Sequence, residues 1–505
     1  MGDSPPESFF VTTGSQGEPT GAGFYPLEHD GEGPFWWTRP RFVLHRPQAQ
    51  RYLALRLGRA AAGRLNINNQ SAIECEIAAG WHWYSIDLGS LHSEQIELDV
   101  DRYTPATHDS RELGVMLRRI VWHNDSARHR HMEQMRANAI LNEEEYRAGA
   151  VIMRSYPPLL RITIATRCNI ASAEPCVYCS WKFVKDEEHG APTYDLKFLE
   201  GLDRYLSVAK HVSDCSFGEP PMQAEFPQIV DRIADDSRIF SFTSNGTTLN
   251  RKTREALLGR NLTVYVSIDS ATAAGFARYR DRSFDRIIAN LRALCRDKKL
   301  HRNLPHVTAS FLVMQSNQHE VCDFIALMHS VGVDRVKLAS LHREACMDLD
   351  GTIKQRDDFV FDYEKEVMAL AELDAIADEA QAAADELGIS LYLDWRGFSA
   401  NHGPIGKQPL CSEPWKSLYV LNRGVFPCCF GRKPIARWKE RGNRSPQEFI
   451  EDARNGPALQ EIRRALASGT FPAYCRSSGS CPIVRKAMND APAGAAKAET
   501  IDASK

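Results

Sequence analysis

The chain has 505 residues, 43% apolar and 25% charged, an ordinary composition for a globular protein and enough length for two or three domains. Its 62 basic and 65 acidic residues leave a net charge of -3, which excludes a broad basic face for nucleic acid and a polybasic membrane patch. No apolar run approaches the ~18 residues of a membrane span. The opening MGDSPPESFFVTTGSQGEP lacks the basic-then-apolar pattern of a secretion signal, and Pro6 stands where a myristoylation signal has Ser or Thr. The expectation is a cytoplasmic protein; its oligomeric state stays open.

In chain order, residues 1–19 read as a flexible N-terminus. Residues 20–127 hold short runs of period two, among them RFVLHR, AIECEIAA, HWYSIDLG, QIELDVD and VMLRRIVW, which predict an all-β sandwich domain. Residues 128–157 are charged and rich in helix formers, so they predict a linking helix. From 158 to 350 β-type runs alternate with helical ones: LLRITIAT, HVSDCSF, IFSFTSNG, LTVYVSID, HVTASFLVM and DRVKLASL. Six strands with helices between them predict an α/β fold with a parallel sheet, most simply a partial (β/α)6 barrel with its chemistry at the C-terminal strand ends. A closing helix at 351–388, a cysteine-bearing module at 389–487 and a disordered Ala-rich tail at 488–505 complete the reading.

Thirteen cysteines are too many and too clustered for a cytoplasmic disulfide framework, and the clustering points to metal. Cys168, Cys176 and Cys179 lie within RCNIASAEPCVYCSWKF. Three thiolates do not close a tetrahedral zinc site, but they suit a [4Fe–4S] cluster with one iron left open. A zinc site recruiting a remote fourth ligand is the alternative. Isolated cysteines such as Cys75, Cys295 and Cys322 read as small buried hydrophobes.

At these residues the chain resembles the radical S-adenosylmethionine (SAM) superfamily. The spacing Cys168-x7-Cys176-x2-Cys179 has a first loop four residues longer than the usual Cys-x3-Cys-x2-Cys. CVYC keeps the aromatic before the last cysteine, so the resemblance puts Tyr178 near the adenine of SAM. CSFGEPPM is similar to the Gly-Gly-Glu-Pro stretch of the family, with Phe217 for the first glycine. That likeness implies that the backbone of Phe217, Gly218 and Glu219 holds the methionine amino group. TSNG supplies Asn245, SIDS supplies Ser267 and Asp269, and VMQSN supplies Asn317 as further SAM contacts. The C-terminal module resembles the SPASM-type extension. Cys411, Cys428, Cys475 and Cys481 would then ligate a second, auxiliary [4Fe–4S] cluster, with Cys429 competing with Cys428 and a zinc ribbon as the alternative.

The resemblance implies a reducing partner such as flavodoxin or ferredoxin and hydrogen abstraction from an unactivated C–H bond. The N-terminal domain resembles sandwiches found beside enzymes of glycan assembly, and Phe35, Trp36, Trp37, Trp81 and Trp83 are candidates for stacking on sugar rings. The reading that follows is an epimerase of the kind found in oligosaccharide antibiotic pathways. Its substrate is a saccharide or a glycosylated small molecule, and its hydrogen donor is a cysteine, Cys346 first, then Cys429 or Cys215. A dehydrogenase or peptide-modifying maturase, with the auxiliary cluster as electron acceptor, is the alternative. A zinc-binding scaffold is the third reading.

Overall fold

The computed structural model describes residues 9–12, 21–30, 33–46, 50–59, 62–67, 73–78, 80–89, 91, 93–103, 111–170, 176–179, 194–235, 237–341, 354–356, 358–395, 409–431, 433–477, 481 and 483–484. The N-terminal part contains β1 (Phe9–Thr12), β2 (Gly21–Asp30), β3 (Gly33–His45), β4 (Tyr52–Arg59), β5 (Gly63–Ile67), β6 (Ile73–Ile77), β7 (Gly80–Asp87), β8 (Gln95–Val100) and β9 (Met116–His123). They form one antiparallel sheet in the order β6-β5-β8-β3-β9-β4-β7, with β1 on β9 and β2 on β3. The long β3 turns the corner: Trp36 and Trp37 pair with β9, while Arg41 to His45 pair with β8. The sheet thereby folds over a single core of Phe42, Leu55, Leu65, Tyr84, Leu98 and Trp122.

The expected sugar-stacking aromatics are used otherwise. Phe35, Trp36 and Trp83 are buried. Trp37 stacks on Tyr103 with ring centroids 5.6 Å apart, and Trp81 lies under the Arg118 guanidinium at 4.0 Å. Trp83 donates from Nε1 to the Ser237 carbonyl at 2.8 Å, and Lys210 Nζ donates to the Trp81 carbonyl at 2.9 Å. Phe35, Trp36 and Trp83 pack the sheet, and Trp83 fastens it to the next domain, while Trp37 and Trp81 are half-buried.

Helix α1 (Ser126–Arg147) follows, capped by Asp125, whose carboxylate accepts from the Ala127 and Arg128 N–H groups. The second sheet then begins: β10 (Leu159–Ile162), β11 (His211–Asp214), β12 (Ile239–Ser244), β13 (Leu262–Ser267), β14 (His306–Val313) and β15 (Arg335–Ser340). A small hairpin, β16 (Lys354–Arg356) and β17 (Phe359–Phe361), stands apart. Strands β18 (Ser390–Leu393), β19 (Ser417–Leu421), β20 (Gly424–Phe426) and β21 (Ala436–Arg437) join the sheet in the order β18-β15-β14-β13-β12-β11-β10-β19-β20-β21. All neighbours from β18 to β19 are parallel. The cysteine-bearing segment therefore continues the barrel sheet on both edges.

The strands bury alternate residues against the surrounding helices. Leu160, Val212, Phe240, Val264, Val307 and Val336 pack with Phe226, Ile229, Ile287 and Phe324 from those helices. The intervening residues face the lumen, and they are polar: Arg161, Ser213, Ser241, Tyr265, Thr308, Arg335 and Lys337. A single cavity touches Leu159 and Arg161 of β10 and Tyr392 of β18, six places apart in strand order. The sheet is thus curled into a partial barrel.

Candidate active site

The three-cysteine loop leaves the C-terminal end of β10, at the upper mouth of the barrel. Cys179 N–H donates to the Cys176 carbonyl at 2.9 Å, a tight turn that keeps the last two thiols together. Burial first, and then the neighbouring Cys179, Cys168 and Asp269, push the Cys176 thiol up to about 11, against the pull of Arg280. Asn245 Nδ2 lies 3.7 Å from the Cys168 sulfur and an Arg280 guanidinium nitrogen 3.7 Å from that of Cys176. N–H groups aimed at sulfur are what a cluster-bearing thiolate needs to carry its charge. The donor set therefore fits a thiolate-held cluster, and loading it must displace protons from these thiols.

A buried ion pair supports the loop. Arg280 Nε sits 2.7 Å from Asp269 Oδ2, and the Tyr178 hydroxyl donates to the same oxygen. The guanidinium carbon also lies 5.5 Å from the Tyr178 ring centre. Asp269 has a left-handed backbone (φ 60°) and accepts from the Leu312 N–H at 2.7 Å. Asn317 is fully buried, and its amide donates to the Asp269 and Leu312 carbonyls.

Glu219 is likewise buried and holds the third-strand turn. Its carboxylate accepts from Ser244 Oγ at 2.6 Å, the Asn245 N–H at 2.7 Å and the Thr248 hydroxyl. Gly218 lets the segment after β11 approach the cysteine loop, since a Cβ there would come within 2.5 Å of the Ala165 carbonyl and 2.6 Å of that of Arg167. Of the residues expected at SAM, Tyr178, Phe217, Gly218 and Ser267 are half-buried at the upper mouth. Glu219, Asn245, Asp269 and Asn317 are turned inward and hold that rim in place.

The second cysteine set closes the lower mouth. Strand β19 runs parallel to β10, so Cys411 before it lies by the N-terminal strand ends, and β20 returns there to Pro427, Cys428 and Cys429. Cys411, Cys428, Cys429, Cys475 and Cys481 line one cavity of about 470 Å³ together with Leu159, Arg161 and Tyr392. Burial pushes the Cys428 thiol up to about 12 and the Cys475 thiol up to about 11. Five thiols lining one cavity are a donor set that suits a multi-iron cluster, with a zinc ion as the alternative. Cys429 is the exposed member of the set.

Of the hydrogen-donor candidates, Cys346 lies outside the described residues. Cys215 follows β11, donates its N–H to the Ile162 carbonyl at 2.7 Å, and has its thiol pushed up to about 12 by burial, with Arg161 opposing. Sequence reading missed Arg280 and Arg161. The signal for Arg161 was present: a lone arginine inside the apolar run LLRITIAT. Arg280 carries none, because RYRDR offers three equivalent arginines.

No protein-family model matches the chain. A stretch of 114 residues is 31% identical to a probable GTP 3′,8-cyclase of Methanococcus maripaludis, covering 22% of this chain and 36% of that protein. The chain thus spans about a third of the length of the curated relative it matches. The three-thiol loop at the head of a partial barrel and this 114-residue likeness agree with the radical SAM resemblance of the sequence. Among solved structures it is similar to Streptococcus suis SuiB (13% identity, 67% of this chain and 72% of that one, TM-score 0.43). It is similar also to SuiB bound to the precursor peptide SuiA (13%, 69% and 76%, TM-score 0.45). A third likeness is to anSMEcpe with bound AdoMet and a Cp18Cys peptide (14%, 64% and 95%, TM-score 0.38). At these identities and TM-scores the likenesses bear on neither activity nor substrate.

Proposed function

We propose that the protein is a radical SAM oxidase. It removes hydrogen from a C–H bond of a substrate held in the barrel and uses a cluster at the second cysteine set as electron acceptor, the reaction type of dehydrogenases and peptide-modifying maturases. One observation carries this reading: the five-cysteine cavity closes the mouth opposite the three-cysteine loop and shares the lumen walls Leu159, Arg161 and Tyr392. When bound, a reduced [4Fe–4S] cluster and SAM supply a 5′-deoxyadenosyl radical able to take a hydrogen atom. Cys168, Cys176 and Cys179 would hold that cluster. Tyr178, Phe217, Gly218 and Ser267 would border SAM. With both groups bound, the substrate would give up a hydrogen atom at the upper mouth, an electron at the lower one and a proton to solvent, and the product would be lighter by two hydrogens. The first electron comes from a reducing partner of the flavodoxin or ferredoxin type.

The test is a Cys168/Cys176/Cys179→Ala variant, reconstituted anaerobically. About four irons and four sulfides per chain should remain, with a dithionite-reducible [4Fe–4S] signal. Zinc, or no metal, at the second set would remove the electron acceptor and with it the oxidase reading.

A second reading rests on Cys215, whose buried thiol keeps its proton and faces Arg161. It would return a hydrogen atom to the substrate, as an epimerase requires. Turnover in heavy water separates the two: epimerisation leaves one solvent deuterium on carbon and no loss of hydrogen.

A further inference from the structure

A two-stranded hairpin is at best marginally stable by itself in water. β16 and β17 form a sheet of their own, pairing Lys354 with Phe361, Gln355 with Val360 and Arg356 with Phe359. Their order therefore depends on what they rest against. β17 alternates: Val360 is 43% exposed, whereas Phe359 and Phe361 are buried. The two rings join one apolar cluster with Val177, Tyr279, Met314 and Leu341, and Tyr178 packs against it. Phe361 meets the Tyr178 ring edge-on with centroids 6.2 Å apart, and Phe359 meets Tyr279 in the same way at 5.0 Å. The Arg278 guanidinium lies 5.1 Å from the Phe359 ring centre. Val177 and Tyr178 are the two residues between Cys176 and Cys179. The Val177 N–H donates to the Tyr279 carbonyl at 2.9 Å. The cysteine turn is thus held from two sides, by the helix Ala273–Tyr279 through its backbone and by the hairpin through its rings. The hairpin is tied down in turn by the short helix that follows it, Tyr363–Glu366. The Glu366 carboxylate accepts from the Ser316 N–H at 3.1 Å and from its hydroxyl at 2.6 Å, and the Tyr279 hydroxyl donates to the same Ser316 oxygen at 3.0 Å.

We propose that the hairpin is a clasp on the cysteine loop, with Phe359 and Phe361 as positioning residues that keep the Cys176–Cys179 turn closed. A cluster held by half-buried thiols is lost through local openings of its ligand loop, and the frequency of such openings follows the packing that opposes them. The proposal rests on the reading of the three-cysteine loop as a cluster site. It adds what governs how long the cluster is kept.

Hydrogen exchange of the reconstituted chain, followed by mass spectrometry, reads the clasp at the Val177 and Cys179 amides, which donate to the Tyr279 and Cys176 carbonyls. Phe359→Ala and Phe361→Ala should each speed exchange there about tenfold or more, with the amides of the helix Phe284–Asp297 unchanged. Phe361→Leu keeps an apolar side chain and should restore part of the protection. Val360→Ser, on the exposed side of the same strand, should exchange as the wild type does. Should the alanine variants fail to fold, Phe361→Leu against Val360→Ser carries the same comparison. Iron capture by bathophenanthroline under anaerobic conditions should quicken in the alanine variants for the about four irons that the Cys168/Cys176/Cys179→Ala variant lacks, and not for the rest. Wild-type exchange in both alanine variants, or exchange that quickens equally in the helix, overturns the clasp. A wild-type chain that takes up no iron at the upper set would sink the radical reading and leave the exchange comparison standing, so the two failures are told apart.

Discussion

Asp269 does more than any other side chain to set the upper mouth, because one carboxylate fixes Arg280, Tyr178 and the backbone of Leu312. Asp269→Asn keeps the shape and removes the charge, leaving Arg280 buried without its partner. Loss of one member of such a pair costs about 3 kcal/mol or more, so urea unfolding should show a drop of that order. An unchanged midpoint would mean that Arg280 finds another anion. Asp214 makes a different prediction. Burial raises its carboxyl from 3.8 to about 7, although Ser216 and Ile164 donate to it. The folded state therefore holds this proton more tightly than the unfolded chain does. Its contribution is present in full below about pH 4 and is lost as pH rises toward about 7, a change of roughly 2–4 kcal/mol. Asp214→Asn should flatten that dependence between about pH 4 and pH 7, and parallel profiles would refute the assignment. The sequence located Asp269 and Glu219 through their motifs but not their partners. A motif fixes position along the chain, whereas Arg280 reaches Asp269 only because the helix Ala273–Tyr279 turns back over the strand end.

At the scale of elements, the strands were legible because two periodicities reinforced each other. LTVYVSID alternates buried Val264 and Val266 with lumen-facing Thr263, Tyr265 and Ser267, and each of the six expected runs became a strand. What the pattern did not show was that β18 and β19 extend the same sheet. SLYL and SLYVL are short, lie far along the chain, and pair only through the curvature of the barrel. The glycan reading of the N-terminal domain stays without support for a related reason: an aromatic run is the same in sequence whether it faces solvent or a second domain. Close approach of elements can be tested at Gly218. Gly218→Ala drives a Cβ against two backbone carbonyls, and overpacking of this kind costs about 1–3 kcal/mol. The strain falls between the β11 end and the cysteine loop. Reconstituted iron should therefore drop in this variant by about half, with the auxiliary set still filled; full iron retention would show that the loop yields without loss.

Over the whole molecule, the folded N-terminal sheet is joined to the barrel through Trp83, Lys210 and Ser237. Trp83→Phe removes one buried hydrogen bond and leaves the Ser237 carbonyl unpaired, a loss of about 1–3 kcal/mol. If the two domains unfold as one unit, a single transition should move; two separated transitions in the wild type would show that the contact carries no coupling. The larger arrangement is a barrel with cysteine sets at both mouths. On the proposed function, the upper set supports radical chemistry. The most direct measurement is 5′-deoxyadenosine formation from SAM under dithionite by the reconstituted chain, together with its iron and sulfide content. About eight irons per chain, with SAM cleaved and cleavage abolished by Cys176→Ala, is the predicted result. A chain that takes up zinc and leaves SAM intact would contradict it.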